Sequence, residues 1–261
     1  MHLQGRVTAD RFVTGVAHQV SAGVAPIRAA PVGDAEQWSQ ALFGETFTVY
    51  DERDGFGWGQ HGFDGYVGWT DMAALSAPVL PITHRVTALR TYVFSEPRIK
   101  SAPVFLLSRN ALVASECEEG RFVKAARAGW VVKEHLAAPD VNAADPAAVA
   151  ETFLGAPYQW GGKESLGLDC SGLMQMAYEA CGVRLPRDSD MQRAVGSPAA
   201  GPPYRRGDIV CWKGHVGMML DETRLIHANA HWMATVIEPL ADVCARHEAG
   251  DTGPILTVRR L

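Results

Sequence analysis

Along the first half of the chain, short runs of alternating apolar and polar residues, among them 46–50, 66–70 and 104–107, are broken every few positions by Gly, Pro, Asn or Asp. A period of two bounded by turn residues predicts strands, so residues 1–138 read as all-β. Two stretches resemble each other. Gly68-Trp69-Thr70 leads to Leu75, and Gly129-Trp130-Val131 leads to Leu136, 61 residues later. That period predicts two consecutive small β-barrels, each burying one aromatic anchor.

The pattern changes near residue 140. Residues 137–144, with Pro139 and Asn142, read as a linker. Asp145 can cap a helix whose first turn holds Pro146 and whose apolar face carries Val149, Phe153 and Leu154, with Gly155 and Pro157 ending it. A second helix is predicted from Cys170, where Leu173, Met174, Ala177, Tyr178, Ala180 and Cys181 recur at helical spacing and Gly182 supplies the stop. After the Pro- and Gly-rich loop 197–207 come three strand-like runs, 208–212, 215–220 and 225–230. Helices followed by strands predict an α+β unit, and the whole chain divides into 1–76, 77–138 and 139–261.

Composition narrows the function classes. The 261 residues are 47% hydrophobic and 20% charged, as in a soluble globular protein large enough to bury its core without disulfides or a structural metal. A net charge of −5 gives no basic footprint, so no nucleic-acid or anionic-lipid partner is expected. The longest apolar runs, 102–107 and 216–220, fall far short of the roughly 18 residues of a membrane span, so no membrane partner is expected either. The start, Met1-His2-Leu3-Gln4-Gly5-Arg6, lacks the apolar core of a secretory signal, which predicts a cytoplasmic location. Five scattered cysteines without a Cys-x-x-Cys pair are expected to stay reduced.

Cys170, in Leu168-Asp169-Cys170-Ser171-Gly172, falls where a loop becomes a helix. Unpaired N–H groups and the positive dipole end there favour a thiolate, and hence a nucleophile. A thiol nucleophile needs an imidazole to take its proton and a third polar group to fix that ring. His215 and His227 lie in successive strand-like runs. A three-residue turn at 221–223 would pair Leu220 with Arg224, set His227 opposite Gly217 and bring it diagonal to His215. A four-residue turn would put the two rings on opposite faces. Cys211, His215, His227 and His231 also cluster, but His227 and His231 are four apart in a strand-like stretch and no His-Glu-x-x-His accompanies them, so no metal site is expected.

Pro157-Tyr158-Gln159-Trp160-Gly161-Gly162, Asp169-Cys170-Ser171-Gly172-Leu173, Leu185-Pro186-Arg187, Gly207-Asp208-Ile209, Gly214-His215-Val216-Gly217 and Ile226-His227-Ala228, in that order, resemble the NlpC family of bacterial cell-wall cysteine peptidases. The resemblance runs from residue 145 to about 240. It implies an α+β architecture in which a papain-like cysteine peptidase domain follows two small SH3-like β-barrels. It also implies a catalytic set of Cys170, His215 and His227, with no cofactor and no metal. The members it resembles most cut the γ-D-glutamyl bond to diaminopimelate or lysine. By that resemblance Asp169, Ser171, Tyr158 and Ser189 bind substrate, Ser189 holding the D-glutamate α-carboxylate. Tyr66 and Glu36, from the first barrel, help bind the free amino group of L-alanine. The implied partner is a small muropeptide with a free amino terminus. Another amide hydrolase or acyltransferase on the same fold, or a peptidoglycan-binding protein with an idle thiol, stay open as alternatives.

Overall fold

A computed structural model describes residue 8, residues 12–250 and residues 252–261, so most of the chain's first eleven residues, where the expected first domain begins, lie outside it. Residues 16–76 form a seven-stranded antiparallel sheet. Residues 84–137 form a five-stranded and a three-stranded sheet. The third unit has a six-stranded antiparallel sheet flanked by helices α1 (Pro146–Glu151), α2 (Cys170–Ala180), α3 (Ser189–Gln192) and α4 (Leu240–Ala249).

The 61-residue repeat is visible in three dimensions. Strand Val67–Asp71 runs into a 3₁₀ turn at Met72–Ala74 and a short strand at Leu75–Ser76. Strand Gly129–Val132 runs equally into Lys133–His135 and Leu136–Ala137. The tryptophans are not buried anchors, however. Trp69 and Trp130 are half-buried, and Arg53 and Lys124 lie over their rings at 5.8 and 5.5 Å. A cation over the π face covers an indole on an outer surface, so the ring need not enter the core.

Helix α1 starts as its sequence predicts, with the Asp145 carboxylate accepting from Ala147 N–H at 2.8 Å. It ends earlier, at Glu151, because the Thr152 hydroxyl donates to the Val149 carbonyl at 2.6 Å and diverts the chain into a turn. Phe153 is still buried, while Leu154 is exposed.

Helix α2 is buried along its whole length and both β-units grip it. At its carboxyl end, Arg85 of the second unit donates to the Glu179 and Ala180 carbonyls at 3.0 and 3.3 Å, and Asn110 donates to Met176 O at 2.9 Å. A helix leaves its last carbonyls without partners, and a cation is the group that suits them. At its amino end, the preceding loop is tied to the first unit by Lys163 N–H donating to Gln40 Oε1 at 2.6 Å, and the segment after the helix by Arg187 Nε donating to Ser39 Oγ at 3.0 Å. One apolar core runs through all three units, from Leu42 and Phe43 through Val86, Leu107 and Val131 to Leu173, Met174 and Met218.

The six-stranded sheet presents alternate residues to two layers. Ile209, Cys211, Val216, Met218, Ile226 and Ala228 join the core that surrounds α2. Val210, Trp212, Met219 and Leu225 face the other way and are covered by Val243 and Leu240 of α4.

Candidate active site

Cys170 opens α2. Asp169 caps the helix in extended backbone, its Oδ1 accepting from Gly172 N–H at 2.7 Å. That carboxylate is otherwise fully engaged. Oδ1 also accepts from the Ser171 hydroxyl (3.1 Å) and Arg187 Nη1 (2.9 Å), and Oδ2 from Gly161 N–H (3.0 Å) and Arg187 Nη2 (2.6 Å). Ser171 Oγ in turn accepts from Arg187 Nη1 at 2.8 Å. Asp169 and Ser171 therefore stand beside the nucleophile as parts of a buried Arg187-centred network. A carboxylate has about four acceptor positions, so little of Asp169 is left for a ligand. Arg187 was noted only as part of a motif; its pairing with a residue eighteen positions earlier has no local sequence signal.

The two histidines meet as the three-residue turn requires. Leu220 N–H donates to Arg224 O at 2.8 Å, and Met218 and Met219 pair with Ile226 and Leu225. This is the register that sets His227 opposite Gly217. A methyl group on Gly217 would lie 2.4 Å from Leu225 Cδ1 and 3.2 Å from His227 Cβ, so glycine makes room for the imidazole. His215 Nε2 and His227 Nδ1 are 2.8 Å apart, and His227 is wholly buried.

The next strand, Ala234–Pro239, pairs His227 with Val236, which places Glu238 diagonally on the same face. Its Oε2 lies 2.8 Å from His227 Nε2, and Arg246 of α4 grips the carboxylate with two bonds of 3.0 and 2.8 Å. Asn229 Nδ2 lies 2.8 Å from His227 Nε2 itself and 3.5 Å from the same carboxylate oxygen. From α4, His247 stacks on both Trp212 and His215, with centroids 4.8 and 5.1 Å away. Glu238, Arg246 and His247 escaped the sequence reading, which assigned no element beyond residue 230. The alternation in Thr235-Val236-Ile237-Glu238 was the available signal.

Burial, with the Asp169 carboxylate next in weight, pushes the Cys170 thiol up to about 12. N–H groups of Val216 and Ser171, with Arg187, pull the other way. Burial thus outweighs the helix amino terminus and favours the neutral thiol over the expected thiolate. Burial, helped by His227, His247 and Arg246, holds His215 well below the usual histidine range. Both directions favour a thiol and a neutral imidazole, and the sulfur lies against the N–H of Val216, the residue next to His215. The Glu238 carboxylate is lowered to about 2, because the Arg246 and His227 hydrogen bonds outweigh its desolvation.

Tyr158 follows the antiparallel bridge between Pro157 and Ala234, its N–H donating to Met233 O at 3.0 Å. Its phenol is raised by burial and by the neighbouring Cys170 and Asp169, which places it beside the nucleophile. The first β-unit supplies the other wall. Tyr66 hydrogen-bonds the Asp188 carboxylate, and Asp188 precedes Ser189, the half-buried first residue of α3. Glu36 is exposed, and its Oε1 accepts from Trp160 Nε1 at 3.1 Å, while Gln37 Nε2 donates to Trp160 O at 3.1 Å. Gly161 adopts φ +70°, and a Cβ there would strike Gln37 O at 2.6 Å, so glycine lets this loop lie against the first unit. The structure thus brings Cys170, Asp169, Ser171 and Tyr158 together, joins His215 to His227, and sets Glu36, Tyr66 and Ser189 on the side where the first unit meets the third.

A buried thiol opening a helix, with a hydrogen-bonded pair of imidazoles on adjacent strands, is the set of groups that thiol-based hydrolysis requires. Comparison with known proteins identifies two of the chain's domains. Residues 155–243 match the NlpC/P60 family and residues 27–75 the bacterial dipeptidyl-peptidase SH3 domain, so the chain carries an NlpC/P60 domain and an SH3-like domain. Dipeptidyl-peptidase 6 of Lysinibacillus sphaericus is 25% identical over 80% of this chain and 86% of its own. The γ-D-glutamyl-L-lysine dipeptidyl-peptidase of Bacillus subtilis is 34% identical over 29% of this chain and 28% of its own. Mycobacterial proteins named "Probable endopeptidase" are 30% identical over 47% of this chain, which spans only about a third (31%) of their length. The crystal structure of an NlpC/P60 family protein from Bacillus cereus superposes with a TM-score of 0.78 at 20% identity, covering 94% of this chain and 99% of that one, so the two share their fold.

Proposed function

We propose that the protein is a cysteine endopeptidase that hydrolyses the γ-D-glutamyl bond to diaminopimelate or lysine in small muropeptides with a free L-alanine amine, and that it acts in the cytoplasm on cell-wall turnover products. We also take residues 77–138 as a second SH3-like barrel, since the strand–3₁₀–strand unit recurs there. The observation that carries the reading is the hydrogen-bonded His215–His227 pair, with His215 on the strand whose Val216 N–H meets the Cys170 sulfur.

The chemistry follows from the proton positions. The ionised Glu238 accepts from His227 Nε2–H, so the lone pair of His227 Nδ1 accepts from His215 Nε2–H and His215 Nδ1 is left as the base. As the Cys170 sulfur bonds to the γ-glutamyl carbonyl carbon, its proton passes to His215. The C–N bond then breaks and the amine leaves with that proton. Water, deprotonated by His215, cleaves the thioester and restores the thiol. With Asp169 committed to Arg187, the substrate ammonium is left to Glu36 and the Tyr66–Asp188 pair. That assignment explains a preference for an unblocked L-alanine, because an acetylated amine leaves these groups without their charged partner.

The test is incubation of L-Ala-γ-D-Glu-diaminopimelate and its N-acetyl form with the protein, with Cys170→Ser as control. Release of diaminopimelate from the free-amine peptide alone is expected. Equal cleavage of both would remove the amine-recognition part, and cleavage by the serine variant at the wild-type rate would end the thiol mechanism.

A further inference from the structure

The pair of histidines does not end at His227. Five groups line up across two helices and three adjacent strands: Cys170 at the start of α2, His215, His227 and Glu238 on successive strands, and Arg246 on α4. The last four are linked by contacts of 2.8 Å, 2.8 Å and a two-bond fork. His227 Nδ1 faces His215 Nε2, while His227 Nε2 has two neighbours at 2.8 Å, the Glu238 carboxylate and the Asn229 amide Nδ2; the ionised acceptor has the stronger claim on its proton. The anchor of the sequence is Glu238, because a carboxylate held by a guanidinium fork can only accept.

We propose that Glu238, acting through His227, is a positioning residue for the thiol chemistry: it fixes the tautomer of both imidazoles and stabilises the positive charge that His215 acquires when Cys170 is deprotonated. The proposal rests on the reading of Cys170 and His215 as nucleophile and base, but on no assignment of substrate. Arg246 has the complementary role. It holds the carboxylate in place, and its own positive charge opposes an imidazolium at His215. The charged and titratable groups facing the relay are, for Glu238, His227 and Arg246, with Asn229 and Trp232 as neutral donors. For His215 they are His227, His247 and Arg246, and for Cys170 they are Asp169, Arg187 and Tyr158.

Glu238→Gln keeps the shape and changes the logic. The Arg246 fork takes the amide oxygen, which turns the NH₂ toward His227 Nε2. His227 must then accept at Nε2 and donate from Nδ1, so His215 accepts at Nε2 and presents Nδ1–H to the sulfur. The base is gone and the carboxylate charge with it.

The readout is the rate of Cys170 alkylation by iodoacetamide as a function of pH, followed by peptide mass spectrometry in a Cys117→Ser background, since Cys117 is exposed. Because the sulfur itself reports, a wrong substrate assignment leaves this measurement untouched. Glu238→Gln is expected to move the rise of the profile up by about one pH unit, making labelling about tenfold slower at neutral pH. Glu238→Asp, which keeps the charge, should stay within about threefold of the parent, in line with about 10–100-fold losses when a second-layer partner is removed altogether. Arg246→Met should move the profile the opposite way, to lower pH, a shift that general damage to the fold does not produce. In a His227→Ala background Glu238→Gln should add less than about twofold, since its route is gone. Unchanged profiles in Glu238→Gln, shifts of the same sign in the Gln and Arg246→Met variants, or a full additional loss without His227 would each overturn the proposal. If Glu238→Gln does not fold, the downward shift of Arg246→Met decides: its absence overturns the idea.

Discussion

The nucleophile helix packs on a buried ionic cluster, and Lys163 is its centre. Its Nζ lies 3.0 Å from Glu45 Oε1, 3.5 Å from Glu179 Oε2 and 4.1 Å from the centre of the Phe63 ring, with the side chain fully buried. His61 lies between Glu45 and Asp64, 2.9 Å from each, and Asp64 reaches Gln175 of α2 at 3.0 Å. Lys163→Met keeps the apolar stem and removes the charge. Glu179, already pushed up to about 7 mainly by burial, can take up a proton, but Glu45 and Asp64 are then balanced by His61 alone. Removing one partner of a buried pair costs about 3–5 kcal/mol. With an unfolding entropy of ~2.1 cal/mol/K per residue, a chain of this length should lose roughly 5–9 °C in Tm. Calorimetry at pH 7 measures it, with Lys163→Met/Glu45→Gln as the companion that deletes one charge of each sign and should recover most of the loss. A single variant within a degree of wild type, or a double variant whose loss is the sum of the two singles, would refute the reasoning.

The same cluster sets a pH dependence. His61, raised to about 9 by its two carboxylates despite burial, contributes fully below about pH 6.5 and loses that contribution as pH rises toward 9. Glu45, lowered to about 2 by Lys163 and His61 against its desolvation, contributes above about pH 4.5 and loses it as pH falls toward 2, while Glu179 erodes stability between about 4.5 and 7. Tm should therefore peak near pH 5 and fall on both sides; a rise between pH 6.5 and 9 would contradict this. Gly217→Ala should cut turnover about tenfold with a stability loss of about 1–3 kcal/mol, since the new methyl presses on Leu225 and His227; unchanged kcat would show that the histidine register tolerates it. Arg85→Met should lower stability by about 1–3 kcal/mol through the orphaned carbonyls of α2, leaving KM unaltered in folded protein. Tyr66→Phe should raise KM about fivefold with little change in kcat, and an unaltered KM would remove Tyr66 from substrate recognition.

What could be read from the residues alone was whatever depends on local spacing. Asp145 and Pro146 mark a helix start, Asp169 caps α2, and the three residues between Leu220 and Arg224 set the histidine register. Each rests on neighbours within a few positions. The errors share a cause as well. Trp69 and Trp130 read as core because indoles are large and apolar, but whether a cation from another strand covers them depends on cross-strand neighbours. Cys170 reads as a ready thiolate because a helix amino terminus is a local feature; the burial that works against it is global. Arg187 meeting Asp169 and Glu238 meeting His227 are pairings across the sheet and its loops, which periodicity cannot reveal.

The geometry divides the labour of the two β-units. The first bonds α2 directly through Asp64 and Gln175, is linked to Glu179 through the Lys163 cluster, and holds the segment after the helix by the Arg187–Ser39 bond, and its Glu36 and Tyr66 stand on the rim beside Trp160 and Asp188. The second meets α2 at Met176, Glu179 and Ala180, two to three turns away from Cys170. A contact at that distance can hold the helix in place but cannot touch a peptide bound at the sulfur, since each turn advances the helix by about 5.4 Å. Changes in the first unit should therefore alter which peptides are accepted, and changes in the second should alter how well the nucleophile is held, whatever the peptide.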